Sequence, residues 1–280
     1  MAVSLASLRH GGGLKPPIIV IFGPGGVGKT TLAAGAPDPV FIWTERGSGR
    51  LDVPGWEVSS FAEVIDASSS LYSEEHSYKT VVIDSLDWLE PLIWAEACQR
   101  HGWKSVEDPG YGRGYVAALG IWREYLEALN ALRDDKGMTI VELAHYVIKR
   151  FDAPDNEPYD RYLIKLHERA GGLVQEHADV VAFANYRVSI AKADAGFGKK
   201  VARAVGGGQR VLYLEERPAF HAKNRLGLPA SIDLPNISDA WQHPEKIWAV
   251  LAEHLPETEP TKRDAGTTPT PIKRGARTHV

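Results

Sequence analysis

The stretch FGPGGVGKTTL, residues 22–32, decides the fold. It contains the pattern G-x-x-x-x-G-K-[ST], formed by Gly23, Gly28, Lys29 and Thr30. Glycines at this spacing let the backbone wrap closely around a phosphate, with its N–H groups turned inward. In such a loop the lysine reaches the β- and γ-phosphates of a nucleotide, and the threonine hydroxyl binds Mg²⁺. The alternative is an ordinary glycine-rich turn.

The segments on either side of the loop favour the phosphate-binding interpretation. PPIIVIF (16–22) is a β-branched apolar run that predicts a buried strand, and TTLAAGA (30–36) predicts a short helix. A strand before the loop and a helix after it are the context that the motif needs. We therefore predict that ATP binds to the whole loop: Gly23, Pro24, Gly25, Gly26, Val27, Gly28, Lys29, Thr30 and Thr31.

Further strands and helices alternate along the chain. PVFIW (39–43), TVVID (80–84) and TIVELAH (139–145) predict buried strands, and residues 86–102 and 116–135 predict helices between them. DVVAFANYRVSI (179–190) and RVLYLEERPAF (210–220) predict two strands paired around a turn. The expected fold is α/β, with a mostly parallel central sheet flanked by helices and antiparallel strands at the C-terminal edge.

Composition limits the function classes. The chain has 280 residues, of which 44% are hydrophobic, which is enough for one large core. A net charge of -4 gives no overall attraction to nucleic acid, so such binding needs local patches. The single cysteine, Cys98, excludes an internal disulfide and fits a reducing cytosol. No apolar run approaches the roughly 20 residues that span a bilayer, so we expect a cytoplasmic protein without membrane contact. We expect an N-terminal segment (1–15), an ATPase domain (16–255) and a disordered basic tail (256–280).

An aspartate ends the strand TVVID. A carboxylate at the end of a buried strand is costly unless a cation lies opposite. Asp84 therefore fits the carboxylate on the Mg²⁺ side of a nucleotide site, together with Thr30. The alternative is that Asp84 caps the helix that follows.

Two more polar residues follow predicted strands at the same sheet edge, where ligands bind in open α/β folds. Glu45 comes just after PVFIW and can orient and polarise an attacking water. The alternative is a surface glutamate paired with Arg46. His145 ends the strand TIVELAH and can hydrogen-bond the γ-phosphate or the water. A half-buried histidine satisfied by its surroundings is equally compatible with the sequence.

HAKNRLGLP, residues 221–229, carries Lys223 and Arg225 two positions apart. On a strand this spacing points both cations the same way, so an anion is expected opposite them. The pair either binds acids of its own domain, binds DNA, or serves a phosphate elsewhere.

The order of these parts resembles the ATPase core of the RecA recombinases. In particular, residues from about 16 to 240 are similar to the core-only, phage-encoded RecA-like proteins associated with single-strand annealing. GPGGVGKT and VVIDS are shared by P-loop NTPases in general, whereas FIWTERG and HAKNRLGLP narrow the resemblance.

The resemblance implies roles for individual residues. Glu45 matches the catalytic glutamate, and His145 stands where RecA has a glutamine that senses the γ-phosphate. Lys223 and Arg225 match the basic pair that one RecA subunit inserts into its neighbour's ATP site. With Lys29, these residues would form a catalytic set shared between subunits. Such a head-to-tail contact builds a ring or a filament.

The resemblance also implies that two loops contact single-stranded DNA. WKSVEDPGYGRGY (103–115) and YVIKRFDAPDNEPYDRYLIK (146–165) combine cations with aromatic residues, the ingredients of single-strand binding. The candidates are Lys104, Tyr111, Arg113, Lys149, Arg150, Phe151, Arg161 and Lys165. The alternative is a pair of solvated loops, since four acids lie between residues 152 and 160.

The function expected from these features is that of an ATP- and Mg²⁺-dependent, single-stranded-DNA-binding recombination protein that promotes strand annealing. Its tail could bind DNA or a single-strand-binding protein, or simply add solubility; the tail cations are Lys262, Arg263, Lys273, Arg274 and Arg277. The alternatives are a helicase-like or packaging motor of the same fold, and a nucleotide-binding regulatory module with little turnover. A nucleotide kinase is disfavoured because the sequence lacks a dedicated lid and an acceptor-base motif.

Overall fold

The computed structural model describes residues 13–45, 51–152, 157–187, 189–194, 200–205, 207–236 and 239–257. The strands are β1 (Ile18–Phe22), β2 (Pro39–Trp43), β3 (Gly55–Glu57), β4 (Thr80–Asp84), β5 (Thr139–Ala144), β6 (Tyr146–Phe151), β7 (Tyr159–Ile164), β8 (Val180–Tyr186), β9 (Ser189–Asp194), β10 (Lys200–Val205), β11 (Arg210–Tyr213), β12 (Lys223–Asn224) and β13 (Ser231–Leu234). The helices are α1 (Lys29–Ala34), α2 (Phe61–Ser73), α3 (Leu86–His101), α4 (Arg113–Lys136), α5 (Glu168–His177) and α6 (Pro244–Ala252).

The main sheet of the described residues runs in the order β13–β11–β8–β1–β5–β4–β2–β3, and β12 also pairs with β8. All pairs from β8 to β3 are parallel. The strands β11, β12 and β13 join antiparallel at the C-terminal edge. The predicted fold class is therefore confirmed, including the antiparallel pairing of the strands near 180 and 210.

Helices cover both faces of the sheet. Along β1, Ile18, Val20 and Phe22 pack with α2, α3, α4 and α5. Ile19 and Ile21 point the other way, because side chains alternate along a strand, and they pack with α1 and α6. The parallel register brings the last residues of β1, β2, β4 and β5 to one edge of the sheet. The loop after β1 and the polar residues after the other strands therefore meet there.

The predicted loop at 146–162 is wrong: this segment forms the β6–β7 hairpin. YVIKRF and YDRYLI are rich in the β-branched and aromatic residues that strands favour. The two prolines that suggested a loop stand between the strands in the sequence, at positions 154 and 158. They interrupt neither strand, because a proline blocks the ladder only where its missing N–H is needed.

Other boundaries also differ from the predictions. The hairpin β9–β10 occupies the region predicted as a turn at 193–209, and β11 ends at Tyr213 rather than at residue 220. The last residues of the predicted loop 103–115 form the first turn of α4. Helix α2 was not predicted, although Ser60 and Glu63 form the capping pattern S-x-x-E: the Ser60 side chain accepts a hydrogen bond from the Glu63 amide.

The predicted end segments fall largely outside the described residues. Residues 1–12 and 258–280, including the five tail cations, are not described. Within the described chain, every helix is too short or too polar to cross a bilayer.

A glutamate lies at the centre of the sheet. Glu142 on β5 is fully buried, and Tyr125 donates a hydrogen bond to its Oε1 at 2.7 Å. Its Oε2 has no partner among the described residues. Burial raises the pKa of Glu142 to about 7, against the opposing effect of the Tyr125 hydrogen bond. Its contribution to stability is therefore complete below the unfolded pKa, near 4.5, and is lost as the pH rises through about 7.

We expect Glu142→Gln to remove this pH dependence, because the amide keeps the shape of the side chain but carries no charge. Relative to the native protein, Glu142→Gln should have a higher free energy of unfolding at pH 8 than at pH 5. The difference between the two pH values should be on the order of 3 kcal/mol. Urea unfolding at both pH values measures it. The exposed Glu127→Gln is the matched control. An equal effect of Glu142→Gln at the two pH values would contradict the assignment.

Candidate active site

The phosphate-binding loop joins β1 to α1 and depends on two of its glycines. A Cβ on Gly23 would lie 2.1 Å from the carbonyl oxygen of Ala184 on β8, so no other residue fits there. Gly28 has a φ of 99°, in the left-handed region that glycine adopts without strain. A Cβ on Gly28 would also lie 2.5 Å from the guanidinium of Arg210. Both glycines are therefore required by the surrounding structure.

Lys29 is buried within this loop. Its Nζ donates hydrogen bonds to the carbonyl oxygens of Gly23 at 3.1 Å and Pro24 at 3.0 Å. Burial lowers the pKa of Lys29, whereas the nearby carboxylates, Asp84 first among them, oppose that shift. The ammonium therefore sits inside the loop, where it can exchange these carbonyl oxygens for phosphate oxygens.

Thr30 and Asp84 meet beside Lys29. The Thr30 hydroxyl donates a hydrogen bond to Asp84 Oδ2 at 2.8 Å. Burial raises the pKa of Asp84, while the Thr30 hydrogen bond and the Lys29 charge counteract it. A hydroxyl and one carboxylate are the hard oxygen donors that Mg²⁺ takes alongside phosphates and water. The described residues offer no cluster of three or more His, Cys, Asp or Glu for a metal, so an all-protein cage is not the geometry here.

Glu45 is tied to the same edge through the backbone. The amides of Thr44 and Glu45 donate to the carbonyl oxygen of Asp84 at 2.8 and 3.2 Å. The Thr44 hydroxyl also donates to the Ser85 carbonyl and accepts from the Ser85 amide. The Glu45 charge acts on the pKa values of both Lys29 and Asp84, so its carboxylate lies near them. The half-exposed side chain can reach a water at the mouth of the loop.

His145 follows β5 and points one ring nitrogen at the loop. Its Nδ1 lies 3.1 and 3.2 Å from the two carboxylate oxygens of Asp87, and its amide donates to Asp87 Oδ1 at 2.9 Å. Its Nε2 would lie 3.9 Å from a Cβ built on Gly25. Burial alone would raise the pKa of Asp87, but the hydrogen bonds from His145 outweigh it and hold that pKa at about 2. An ionised Asp87 thus fixes the imidazole, with Nε2 turned to the phosphate site.

Two contributors to this site were missed from the sequence: Asp87 and Arg210. Asp87 lies in the first turn of α3, where an acid is usually taken as part of a helix cap. The guanidinium of Arg210 donates to the carbonyl oxygens of Val27 at 3.4 Å and Pro235 at 2.6 Å. It has no acidic partner within ion-pair distance among the described residues. A half-buried cation without a carboxylate therefore lies against the phosphate-binding loop.

We expect Arg210→Ala to raise the KM for ATP about tenfold, with a smaller change in kcat, because a hydrogen bond from a charged donor to the loop is lost. Steady-state ATP hydrolysis measures both constants. Arg187→Ala is the control, because its guanidinium makes an exposed ion pair with Asp233 nearby. An unchanged KM in Arg210→Ala would show that this residue does not shape the loop.

Lys223 has its hydrogen-bond partners within its own chain. Its ammonium donates to the carbonyl oxygens of Gln175, Glu176 and Ala178, at 2.6, 3.0 and 2.5 Å, at the C-terminal end of α5. These carbonyls carry partial negative charge because helix ends leave them unpaired. Lysine has three donor hydrogens, so this one is fully engaged. The end of α5 in the same chain therefore supplies negative charge to Lys223, and its insertion into a neighbour's site stays a prediction.

Arg225 has different surroundings. It is exposed, and its guanidinium has no hydrogen-bond or ion-pair partner among the described residues. Its amide donates to the carbonyl of Asp179, whose own amide donates to the carbonyl of Ile18. Arg225 therefore lies level with the start of β1, whereas the phosphate-binding loop follows its end, about 13 Å further along the strand. Its own nucleotide site is at the opposite edge of the sheet.

Most of the predicted DNA contacts are exposed. Lys149, Arg150 and Phe151 lie exposed on β6, and Lys165 lies exposed just after β7. The loop before α4 exposes Lys104, Tyr111 and Arg113, with Tyr111 at the tip and fully open to solvent. Arg113 Nε and Nη2 also donate to the Pro109 carbonyl. These residues divide between two surfaces, the hairpin and the loop before α4.

Arg161 is the exception, because its side chain is buried and does not face solvent. Its side chain is only 8% exposed and forms an ion pair with Glu216. It also donates to the carbonyl oxygens of Arg217 and Phe220. The guanidinium is thus buried and engaged within its own chain. Arg161 therefore holds the hairpin to the segment after β11.

This chain is similar to known proteins in sequence and in fold. A protein-family model described as an AAA domain matches residues 15–226. The chain belongs to the AAA domain family. As a member of that family with an intact phosphate-binding loop, it is a nucleotide-binding ATPase. A solved structure of the RadB recombinase matches with 15% sequence identity and a TM-score of 0.47, over 82% of this chain and 91% of that chain. The search of curated proteins gave no match.

Proposed function

We propose that this AAA domain protein is an ATP- and Mg²⁺-dependent single-stranded-DNA-binding protein that promotes strand annealing in recombination. The observation that carries the proposal is the continuity at one sheet edge: His145 faces the phosphate-binding loop and is followed at once by the exposed, cationic strand β6. A change at the γ-phosphate can therefore reach the hairpin through a single residue. The resemblance to RecA-like annealing proteins supports the DNA assignment.

The chain's own residues divide the work of hydrolysis. Lys29 binds the β- and γ-phosphates once they replace the loop carbonyls, and Glu45 orients the attacking water. Thr30 and, through water, Asp84 fit a bound Mg²⁺, which supplies positive charge to the phosphates. His145, held by Asp87, hydrogen-bonds the γ-phosphate or the attacking water.

We propose that Arg225 completes the site of a neighbouring subunit. Its guanidinium has no partner among the described residues and lies at the sheet edge opposite its own phosphate-binding loop, so it is placed to meet a phosphate of another subunit. An arginine supplied in trans stabilises the charge of a phosphoryl-transfer transition state. A head-to-tail assembly, ring or filament, follows from such a contact. Lys223 supports it only by fixing β12 to the end of α5.

Single-stranded DNA would lie along the β6–β7 hairpin and the loop before α4. Lys149 and Arg150 provide charges for the backbone, and Phe151 and Tyr111 provide rings for bases. Contacts of this kind do not read sequence, which suits annealing of any complementary pair. A single-strand-binding protein remains the proposed partner of the basic tail.

ATP turnover with and without single-stranded DNA tests the proposal, together with the annealing rate of two labelled complementary strands. We expect DNA to stimulate turnover and ATP to change the annealing rate. Turnover indifferent to DNA, with no annealing, would contradict the proposal and favour a regulatory module. Unwinding of a tailed duplex would instead identify a motor.

A further inference from the structure

A cleft of about 410 Å³ lies between α3 and the β6–β7 hairpin. Helix α3 supplies Trp88, Glu90 and Trp94 to the lining. Glu90 and Trp94, four positions apart, share a side of the helix, and Trp88 lies further round it. The hairpin side supplies Lys149 and Lys165. Trp88 and Trp94 are not among the predicted DNA contacts, and neither belongs to the ATPase site.

Trp94 in the lining of the cleft is held by aromatic residues behind it. Trp94 packs edge-on against Tyr115, with ring centroids 5.5 Å apart and an interplanar angle of 77°. Tyr115 in turn stacks on His167 at 4.3 Å and 12°. Trp88, which also lines the cleft, is 50% exposed. A half-exposed indole in a cleft offers a flat apolar surface for another ring.

Lysines lie at the rim of the cleft, and both acids that line it already accept hydrogen bonds. Lys149 is exposed, and Lys165 Nζ lies 3.5 Å from Asp87 Oδ2. Asp87 is held mainly by His145, and both carboxylate oxygens of Glu90 accept from the His167 amide at 3.0 Å. Lys149 has no hydrogen-bonded acid among the described residues, and the exposed Lys165 can exchange its long contact with Asp87 for a phosphate. A flat ring joined to an anionic backbone therefore matches Trp88 and these two lysines.

We propose that this cleft takes a nucleobase of single-stranded DNA, stacked on Trp88, with its flanking phosphates on Lys149 and Lys165. The inference rests on the proposed DNA-binding function and names a specific subsite for it. Stacking on an aromatic face accepts every base, so the cleft carries no sequence preference. The cleft also adjoins the ATPase site, because Asp87 contacts both Lys165 and His145.

A strand without bases separates stacking from charge. Fluorescence anisotropy would compare binding of labelled oligothymidylate with binding of an abasic strand of the same length. We expect the native protein to bind oligothymidylate about tenfold more tightly than the abasic strand. Trp88→Ala should lose most of this preference, and Trp94→Phe should reduce it. Lys149→Ala should weaken both strands alike and reduce the salt dependence of binding.

Trp241→Ala is the matched control. Trp241 is 42% exposed and immediately precedes α6, on the face of the sheet away from α3. Its replacement should leave the preference for oligothymidylate unchanged. Circular dichroism of each variant establishes that it is folded.

Three results would overturn the inference. Equal preference for oligothymidylate in the native protein and Trp88→Ala would show that no base enters the cleft, while the DNA-binding proposal stands. Failure of the native protein to bind either strand would contradict both the proposed DNA-binding function and the assignment of the cleft. Quenching of Trp88 fluorescence that depends on protein concentration without DNA, judged against Trp88→Phe, would assign the cleft to a second copy of this chain.

Discussion

Replacing Glu45 with glutamine is expected to lower ATP turnover by at least about 100-fold while ATP still binds. The amide keeps the size of the side chain but is a poor base for the attacking water. Nucleotide affinity depends instead on the loop and Lys29, which the substitution leaves in place. Lys29→Ala should differ by losing ATP binding as well, because its ammonium serves the phosphates directly.

The measurement pairs steady-state hydrolysis with binding of a fluorescent ATP analogue. Glu57→Gln is the control, since Glu57 is an exposed glutamate on the adjacent strand β3. Near-native turnover in Glu45→Gln would identify Glu45 as the surface residue that the sequence left as an alternative. Loss of ATP binding in Glu45→Gln would show that this side chain shapes the nucleotide site rather than activating water.

The second large effect is expected from Arg225→Ala. If Arg225 serves a neighbour's site, its loss should reduce turnover about 1,000-fold in the assembled protein without weakening ATP binding. Arg217→Ala is the control, because Arg217 is exposed nearby and pairs with Glu215. Lys223→Met should behave differently, lowering stability through the three carbonyls at the end of α5 that it would leave unpaired. A near-native turnover in Arg225→Ala, in protein shown to assemble, would contradict the trans role.

The parts of the molecule governed by local sequence were predictable. The strand, glycine loop and helix around Lys29 are specified within a dozen residues, and the apolar strands carry their own pattern. Because parallel strands end at one edge, the meeting of Glu45, Asp84 and His145 followed from their positions after strands. The order of the strands in the sheet was not predicted, because the α/β fold class allows several orders.

The parts that depend on distant contacts were not predictable. The role of Lys223 depends on the end of α5, a helix that the pattern did not reveal. Arg161 lies in a segment that the sequence predicts as a loop, because two prolines in that segment argue against strands. Its partner Glu216 lies far along the chain. Arg210 reaches the phosphate-binding loop only because β8 pairs with both β1 and β11. The sequence alone indicates a helix-capping role for Asp87, because its contact with His145 depends on the fold.

The central claim is that ATP is hydrolysed at a site shared by two subunits, and mixing two inactive variants tests it most directly. ATP turnover would be measured, with single-stranded DNA present, for Glu45→Gln, for Arg225→Ala and for their equal mixture. Each variant alone should be nearly inactive. The mixture should recover up to about one quarter of native turnover, since half of the sites keep Glu45 and half of those receive Arg225 from the next subunit. A mixture that co-assembles and stays as inactive as its components would contradict the shared site.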